Sequence, residues 1–278
     1  MAHVNAYWYH KAVSRLREFF VSRGFMEVYA QTRPSFLALA DHTSTIMSYD
    51  SAGEHFLLPQ NAHMWLEQET LKNPEFPGVF SVTTSYRQYE NPVANRHEGV
   101  FPIFDFEMPG TIDDAAKLQK ELLEYLGFAE GDVPEFLYDD VTSEFGVRRI
   151  DSSVESRLYK DHGSVVIVKN RPESVQPSWV VSRADDVAIM LNTVLYGVET
   201  VSIAQRATNT DNMRERFYAI NEGQYAADLF AKFGQARVER ELGEYLSHEM
   251  FPRCCGSIGL IRLIRALRMQ ESSSWVSS

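Results

Sequence analysis

The chain has 278 residues, 44% of them hydrophobic and 23% charged, which suits one large or two modest globular domains. A net charge of −11 excludes a general nucleic-acid binder, which needs a broad basic field against phosphates, but leaves room for a local basic site. There is no N-terminal apolar signal and no run of about 18 apolar residues, so neither secretion nor a membrane span is expected. The two cysteines, Cys254 and Cys255, are adjacent, poorly placed for a mutual disulfide and without nearby His/Cys partners for zinc; both facts fit a reducing cytoplasm.

Taken in order, the chain opens with a predicted helix from Ala6 to Arg23, where Val13, Leu16, Phe19 and Phe20 recur at three- and four-residue spacing and Gly24 supplies a stop. Phe25 to Ala30 reads as a strand, Asp41 to Ser48 as a polar turn, and Phe56 to Pro59 as a short strand before a helix that starts near Asn61. Val79–Tyr86 and Val100–Met108 are rich in β-branched and aromatic residues and read as two strands. The polar loop between them holds Asn91, Pro92, Asn95, Arg96 and His97; Arg87 ends the first strand and Glu107 lies near the end of the second. Two strands feeding such a loop can clamp a polyphosphate and stack an aromatic on a base, because the planar guanidinium binds phosphate oxygens in pairs.

Thr111 to Leu126 is a predicted helix, capped by Thr111 with Asp113 and Asp114 in its first turn, expected to pack on the outer face of the sheet. Asp132 to Arg157 has no readable pattern. Val165–Val168 reads as a buried strand leading into a loop at Asn170-Arg171-Pro172; Asn192–Tyr196 and Glu199–Ile203 read as further strands. Met213–Phe233 is predicted helical with Tyr218, Ile220, Tyr225 and Leu229 in the core, and Arg237–His248 is a second helix. In Cys254–Met269, Gly256 and Gly259 are expected to open a helix, a turn that lets backbone and Arg262 approach phosphates. Glu271–Ser278 is serine-rich and reads as a fraying tail.

In this order the residues resemble the class II aminoacyl-tRNA synthetases, in particular the aspartyl/asparaginyl branch and its tRNA-independent, ammonia-using asparagine synthetase relatives. Gly24, Phe25, Glu27 and Val28 are similar to motif 1, which builds the family's dimer interface. Tyr86-Arg87, Arg96-His97, Phe101 and Phe104-Asp105-Phe106-Glu107-Met108 resemble motif 2, with the acidic residue displaced to Glu90. His63-Met64-Trp65-Leu66-Glu67 is similar to the amino-acid recognition helix; Leu66-Glu67 is of the asparaginyl type, and a glutamate accepts from an amide or amine where a lysine would attract a carboxylate. His63 replaces the family's Gln there, and Gln60 is a further pocket candidate. Gly197, Glu199, Ser202 and Arg206 match a segment in which the Glu holds Mg²⁺ and the Arg grips the substrate side chain; Asn192 stands where Asp is frequent. Asn170-Arg171-Pro172 is similar to a Tyr-Pro turn of the branch, and Gly259 and Arg262 match motif 3, with Ser257 replacing its first Gly.

The resemblance implies an α+β fold, a class II synthetase-like antiparallel β-sheet flanked by helices, in a single catalytic domain over 1–270 with a flexible tail over 271–278 and no anticodon-binding domain. It implies an ATP-dependent, AMP-forming ligase that activates a small amino acid of aspartate or asparagine type, cytoplasmic and homodimeric, with ATP as substrate and Mg²⁺ as cofactor. The implied roles are catalysis for Arg87 and Arg262; ATP binding for Arg87, Glu90, Arg96, His97, Phe101, Gly259 and Arg262; amino-acid binding for Gln60, His63, Glu67, Ser202 and Arg206; and Mg²⁺ for Glu199 and Asn192. The acceptor stays open between ammonia or another amine, a carrier or tRNA, and a paralogue that binds without catalysis.

Overall fold

A computed structural model describes residues 4–31, 34–37, 43–89 and 98–274. Helix α1 (Ala6–Val21) starts where the Asn5 side chain accepts from the Trp8 amide, and it buries Ala12, Val13, Leu16, Phe19 and Phe20 along one stripe. A two-residue strand β1 (Met26–Glu27) follows, shorter than the Phe25–Ala30 strand read from sequence. The hairpin β2 (Ser48–Ser51) and β3 (Glu54–Leu57) stands apart from the main sheet, preceded by a 3₁₀ turn at Thr43–Thr45. Helix α2 (His63–Lys72) then leads to β4 (Val79–Tyr86) and β5 (Val100–Pro109).

Helix α3 (Ile112–Tyr125) begins at a capping box between Thr111 and Asp114. The stretch without a readable pattern folds as β6 (Glu135–Leu137), α4 (Tyr138–Phe145) and the first half of α5 (Ser152–His162). Then come β7 (Val165–Pro172), β8 (Arg183–Ala184), β9 (Val187–Leu195) and β10 (Val198–Gln205). The helix expected over Met213–Phe233 is two, α6 (Thr210–Ala219) and α7 (Gln224–Phe233), because Asn221 and Glu222 take left-handed backbone angles between them; Tyr218, expected in the core, is exposed. Helix α8 (Gln235–Leu246), strand β11 (Arg253–Gly259) and helix α9 (Leu260–Ser274) complete the described chain. Gly256 lies inside β11 and does not open a helix; α9 begins after Gly259 and continues past Glu271.

Nine strands form one mixed sheet in the order β1-β4-β5-β11-β10-β9-β7-β6, with β8 on β9. All pairs from β4 to β7 are antiparallel; β1 and β6 add at the edges in parallel. Side chains alternate across a strand, so β5 sends Phe104 and Phe106 to one face and Asp105 and Glu107 to the other. The first face is apolar: Phe104 and Phe106 join Phe20 and Phe80 beneath α1, α3 and α9. Gly256 opposes Phe106 on that face, where a Cβ would lie 2.2 Å from the ring, so only glycine fits. On the second face α6, α7 and α8 cover one end and α4 and α5 the β7 side. Polar residues line the sheet between those two covers.

Candidate functional site

The strand register draws a polar row across the second face. Ser81 on β4 faces Asp105 on β5, Asp105 faces Ser257 on β11, Ser257 faces Ser202 on β10, and Ser202 faces Asn192 on β9. Five residues spread over more than a hundred positions thus stand side by side, because each strand contributes its polar parity to the same face.

Helix α2 closes over this row and places His63 on it. Ser257 Oγ donates to Asp105 Oδ1 at 2.5 Å, and His63 Nε2 lies 2.8 Å from the same hydroxyl. A carboxylate only accepts, so the hydroxyl proton goes to Asp105 and the imidazole donates from Nε2. The other oxygen of Asp105 accepts from the Ala62 amide at 2.8 Å, which fixes the start of α2. Burial, then the Arg206 charge, holds the His63 pKa well below the ordinary range, so the ring is neutral. Its Nδ1 is left as a buried acceptor without a hydrogen bond. Gln60 Oε1, Thr83 Oγ1 and Ser85 Oγ are further buried polar atoms without a hydrogen bond, while Gln60 Nε2 donates to Thr45 Oγ1 at 3.0 Å. Unsatisfied polar atoms collected on one face are what a polar ligand would complete.

Beside the row lies a buried ionic quartet. Arg206 donates to Glu107 through Nε (3.0 Å) and Nη2 (2.9 Å). Arg253 donates from Nε to Glu67 Oε1 at 2.9 Å, and Arg206 Nη1 approaches Glu67 Oε2 at 3.5 Å. None of the four is more than 1% exposed. Burial raises the Glu67 pKa, but Arg206 and Arg253 outweigh it and hold the carboxylate below its ordinary value. For Glu107 burial wins against Arg206 and pushes its pKa up to about 7. Two guanidiniums thus face one carboxylate held ionised, Glu67, and one that takes up a proton near neutral pH, Glu107. Glu67 and Arg206 were both expected to read a substrate side chain; the structure brings them together. The sequence does not single out Arg253, and it marks Glu107 and Asp105 only within the run Phe104–Met108. The available signal was the pair of acids alternating with phenylalanines in Phe104–Glu107.

The residues expected to meet phosphates gather at the strand ends away from the quartet. Arg87 directly follows β4, and its guanidinium lies 5.5 Å from the centre of the Phe101 ring. Phe101 faces Ser85 across the β4–β5 pair. Gly259 faces Ile103, and three residues later Arg262 donates from Nη1 to the Glu199 carbonyl at 2.6 Å. Arg87 and Phe101 thus share one part of this end, and Arg262 and Glu199 another. Glu90, Arg96 and His97 lie outside the described residues.

The two residues expected to share Mg²⁺ have other partners. Glu199 faces Val194, whereas Asn192 faces Ser202 and bonds its hydroxyl at 3.3 Å. The Glu199 carboxylate forms an ion pair with Arg171 at 2.9 Å. Magnesium favours several hard oxygens in near-octahedral array, and one carboxylate already carrying a guanidinium does not supply that set. Elsewhere, ligand atoms of His63, Glu107 and Cys255 lie within 4.8 Å of one another. Burial pushes the Cys255 thiol up to about 12, and Glu107 is engaged by Arg206, so this trio offers a protonated sulfur and an occupied carboxylate.

No protein-family model matches the sequence, and neither does any curated protein. Solved structures do. Asparaginyl-tRNA synthetase from Pyrococcus horikoshii complexed with asparaginyl-adenylate superposes with a TM-score of 0.75 at 16% identity, covering 94% of this chain and 64% of that one. Asparaginyl-tRNA synthetase from Entamoeba histolytica in complex with asparaginyl-adenylate gives 0.70 at 15% identity, covering 94% and 63%. Aspartyl-tRNA synthetase from the same organism gives 0.67 at 16% identity, covering 94% and 54%. The chain therefore spans less than two thirds of the length of these proteins. Among the described residues no helix is long and apolar enough to cross a membrane. The mixed sheet flanked by helices has the fold of the class II asparaginyl- and aspartyl-tRNA synthetases.

Proposed function

We propose that this chain is an ATP-dependent, AMP-forming ligase that activates a small amino acid of the asparagine or aspartate type as its adenylate. The observation that carries the reading is the polar second face of the sheet, with the Arg87, Phe101 and Arg262 region at one end and the Glu67–Arg206 quartet at the other. A molecule with an amino-acid part and a nucleotide part matches that polarity, and two of the structural neighbours hold asparaginyl-adenylate.

In this reading an oxygen of the amino-acid carboxylate attacks the α-phosphorus of ATP. The new O–P bond forms as the bond from that phosphorus to the β-bridging oxygen breaks, and pyrophosphate leaves with the electron pair. No proton need move, so the protein acts by positioning and charge neutralisation. Arg87 holds the α-phosphate and the attacking carboxylate together. Arg262 and the Gly259 turn hold the outer phosphates, with Glu90, Arg96 and His97 assigned to the same part from sequence. Phe101 stacks against adenine. The His63 Nδ1 and Gln60 Oε1 acceptors suit an ammonium or amide donor, and Ser202 and Arg206 complete the amino-acid side.

Glu67, held ionised by Arg206 and Arg253, favours a side chain that can donate to it, such as the amide of asparagine, over a second carboxylate. Ammonia or another amine, a carrier and tRNA are the acceptors the reading allows, and a homodimer is the expected assembly. The test is amino-acid-dependent ATP–pyrophosphate exchange across the twenty amino acids. Exchange with asparagine or a close analogue is expected. Exchange with none, together with no ATP binding by calorimetry, would overturn the reading.

A further inference from the structure

We propose that Arg171 is a built-in cation at Glu199, taking the charge-neutralising place that a divalent metal would hold there. Its position is specific. In β7 Val168 faces Asn192 and Lys169 faces Leu191, but the register then shifts so that Arg171 faces Ala188. The extra residue is on β9, where Ile189 and Met190 lie opposite the single Asn170, which takes a left-handed φ of 60°. Asparagine tolerates that conformation better than most side chains, and a one-residue shift in register changes which side chains of the two strands share a face. Without the bulge, Arg171 would share the face of Lys169, which points to Glu135 at the sheet edge. With it, Arg171 joins the parity of Ala188, Met190 and Asn192, the face of the polar row.

Once there, the guanidinium is held from two sides. Nη2 donates to Glu199 Oε2 at 2.9 Å, and Nη1 donates to the Gln176 side chain. Arg262 reaches the backbone carbonyl of the same Glu199. Two arginines therefore converge on one glutamate, and the side chains of Arg171 and Glu199 remain 18% and 30% exposed, open to a ligand. A planar fork of donors suits phosphate oxygens as well as a carboxylate. Glu199 orients Arg171, and Arg171 faces the phosphates in the role a carboxylate-held ion would otherwise fill. Only this last step rests on the nucleotide reading above; the occupation of Glu199 by Arg171 does not.

The two parts have separate tests. Binding of Mn²⁺ to the ligand-free protein is followed by electron paramagnetic resonance in the wild type, Arg171→Ala, Arg171→Gln, and Arg171→Ala combined with Glu199→Gln. The wild type should hold no ion in a Glu199-dependent way. Both single variants should gain one Mn²⁺ with at least tenfold tighter binding, lost in the double variant; the two substitutions guard against one that misfolds. A Glu199-dependent ion in the wild type overturns the proposal. So does failure of both folded variants to gain an ion, since Glu199 would then not be a cation site. Separately, ATP affinity in the wild type should change less than threefold between EDTA and excess Mg²⁺. Arg171→Ala should lose at least tenfold in EDTA and recover with Mg²⁺. ATP that fails to bind in either condition counts against the ligase reading, while the Mn²⁺ experiment still decides the place of Arg171.

Discussion

Arg206 grips Glu107 with two parallel hydrogen bonds, Nε to Oε1 at 3.0 Å and Nη2 to Oε2 at 2.9 Å, in a setting where neither side chain reaches solvent. Removing one member of a buried pair leaves a naked charge, which costs about 3–5 kcal/mol. Glu107→Ala should therefore destabilise the protein by that order in urea unfolding. Glu107→Gln, which keeps an acceptor for Arg206, should cost clearly less.

The same carboxylate sets a pH dependence. Its pKa in the fold rises from the ordinary 4.5 to about 7, so the folded chain binds this proton more tightly than the unfolded chain. Stability from Glu107 is then full below about pH 4.5 and is lost as pH rises through 7, by about 3 kcal/mol at most, since one pKa unit is worth about 1.4 kcal/mol. Glu67, whose pKa is lowered, acts oppositely: its contribution is present above the ordinary carboxylate range and lost only as pH falls below it. Denaturant midpoints between pH 5 and 8 should decline in the wild type and flatten in Glu107→Gln.

Ser257 bridges His63 and Asp105, so Ser257→Ala strips the hydroxyl partner from both in one change. Leaving buried polar groups unpaired costs about 1–3 kcal/mol. If His63 reads the amino acid, exchange kinetics should show a raised amino-acid KM with the ATP KM changed much less.

Arg87 follows the strand end beside Phe101. Deleting one preorganised donor to a developing charge lowers turnover by about 10²–10³. Arg87→Ala should suppress pyrophosphate exchange by at least about 100-fold while the thermal midpoint stays near the wild type. A rate within about threefold would remove Arg87 from the phosphate site.

Two glycines without positive φ should respond in opposite directions. A Cβ at Gly256 would lie 2.2 Å from the Phe106 ring, whereas one at Gly243 in α8 would meet nothing within 4 Å. Overpacking costs about 1–3 kcal/mol, so Gly256→Ala should lower stability in thermal unfolding. Gly243→Ala should raise it by about 0.5–1 kcal/mol through better helix propensity.

Local pattern alone determined much of this molecule. The β-branched run Val79–Tyr86 is a strand with those bounds, Thr111 caps α3, and the phenylalanine parity of β5 marks its apolar face. These features depend on neighbours a few residues away, where backbone sterics and alternation act. The tertiary structure decided the rest. Cys254–Gly259 is a strand and not a helix start because β5 and β10 flank it and pair along its length. Ser257 meets Asp105 across 152 positions, Arg253 meets Glu67 across 186, and a register shift between β7 and β9 beside Asn170 accompanies the meeting of Arg171 with Glu199. A strand's own residues set which side chains share a face, but register against its neighbours chooses their partners, and register is a property of the whole sheet.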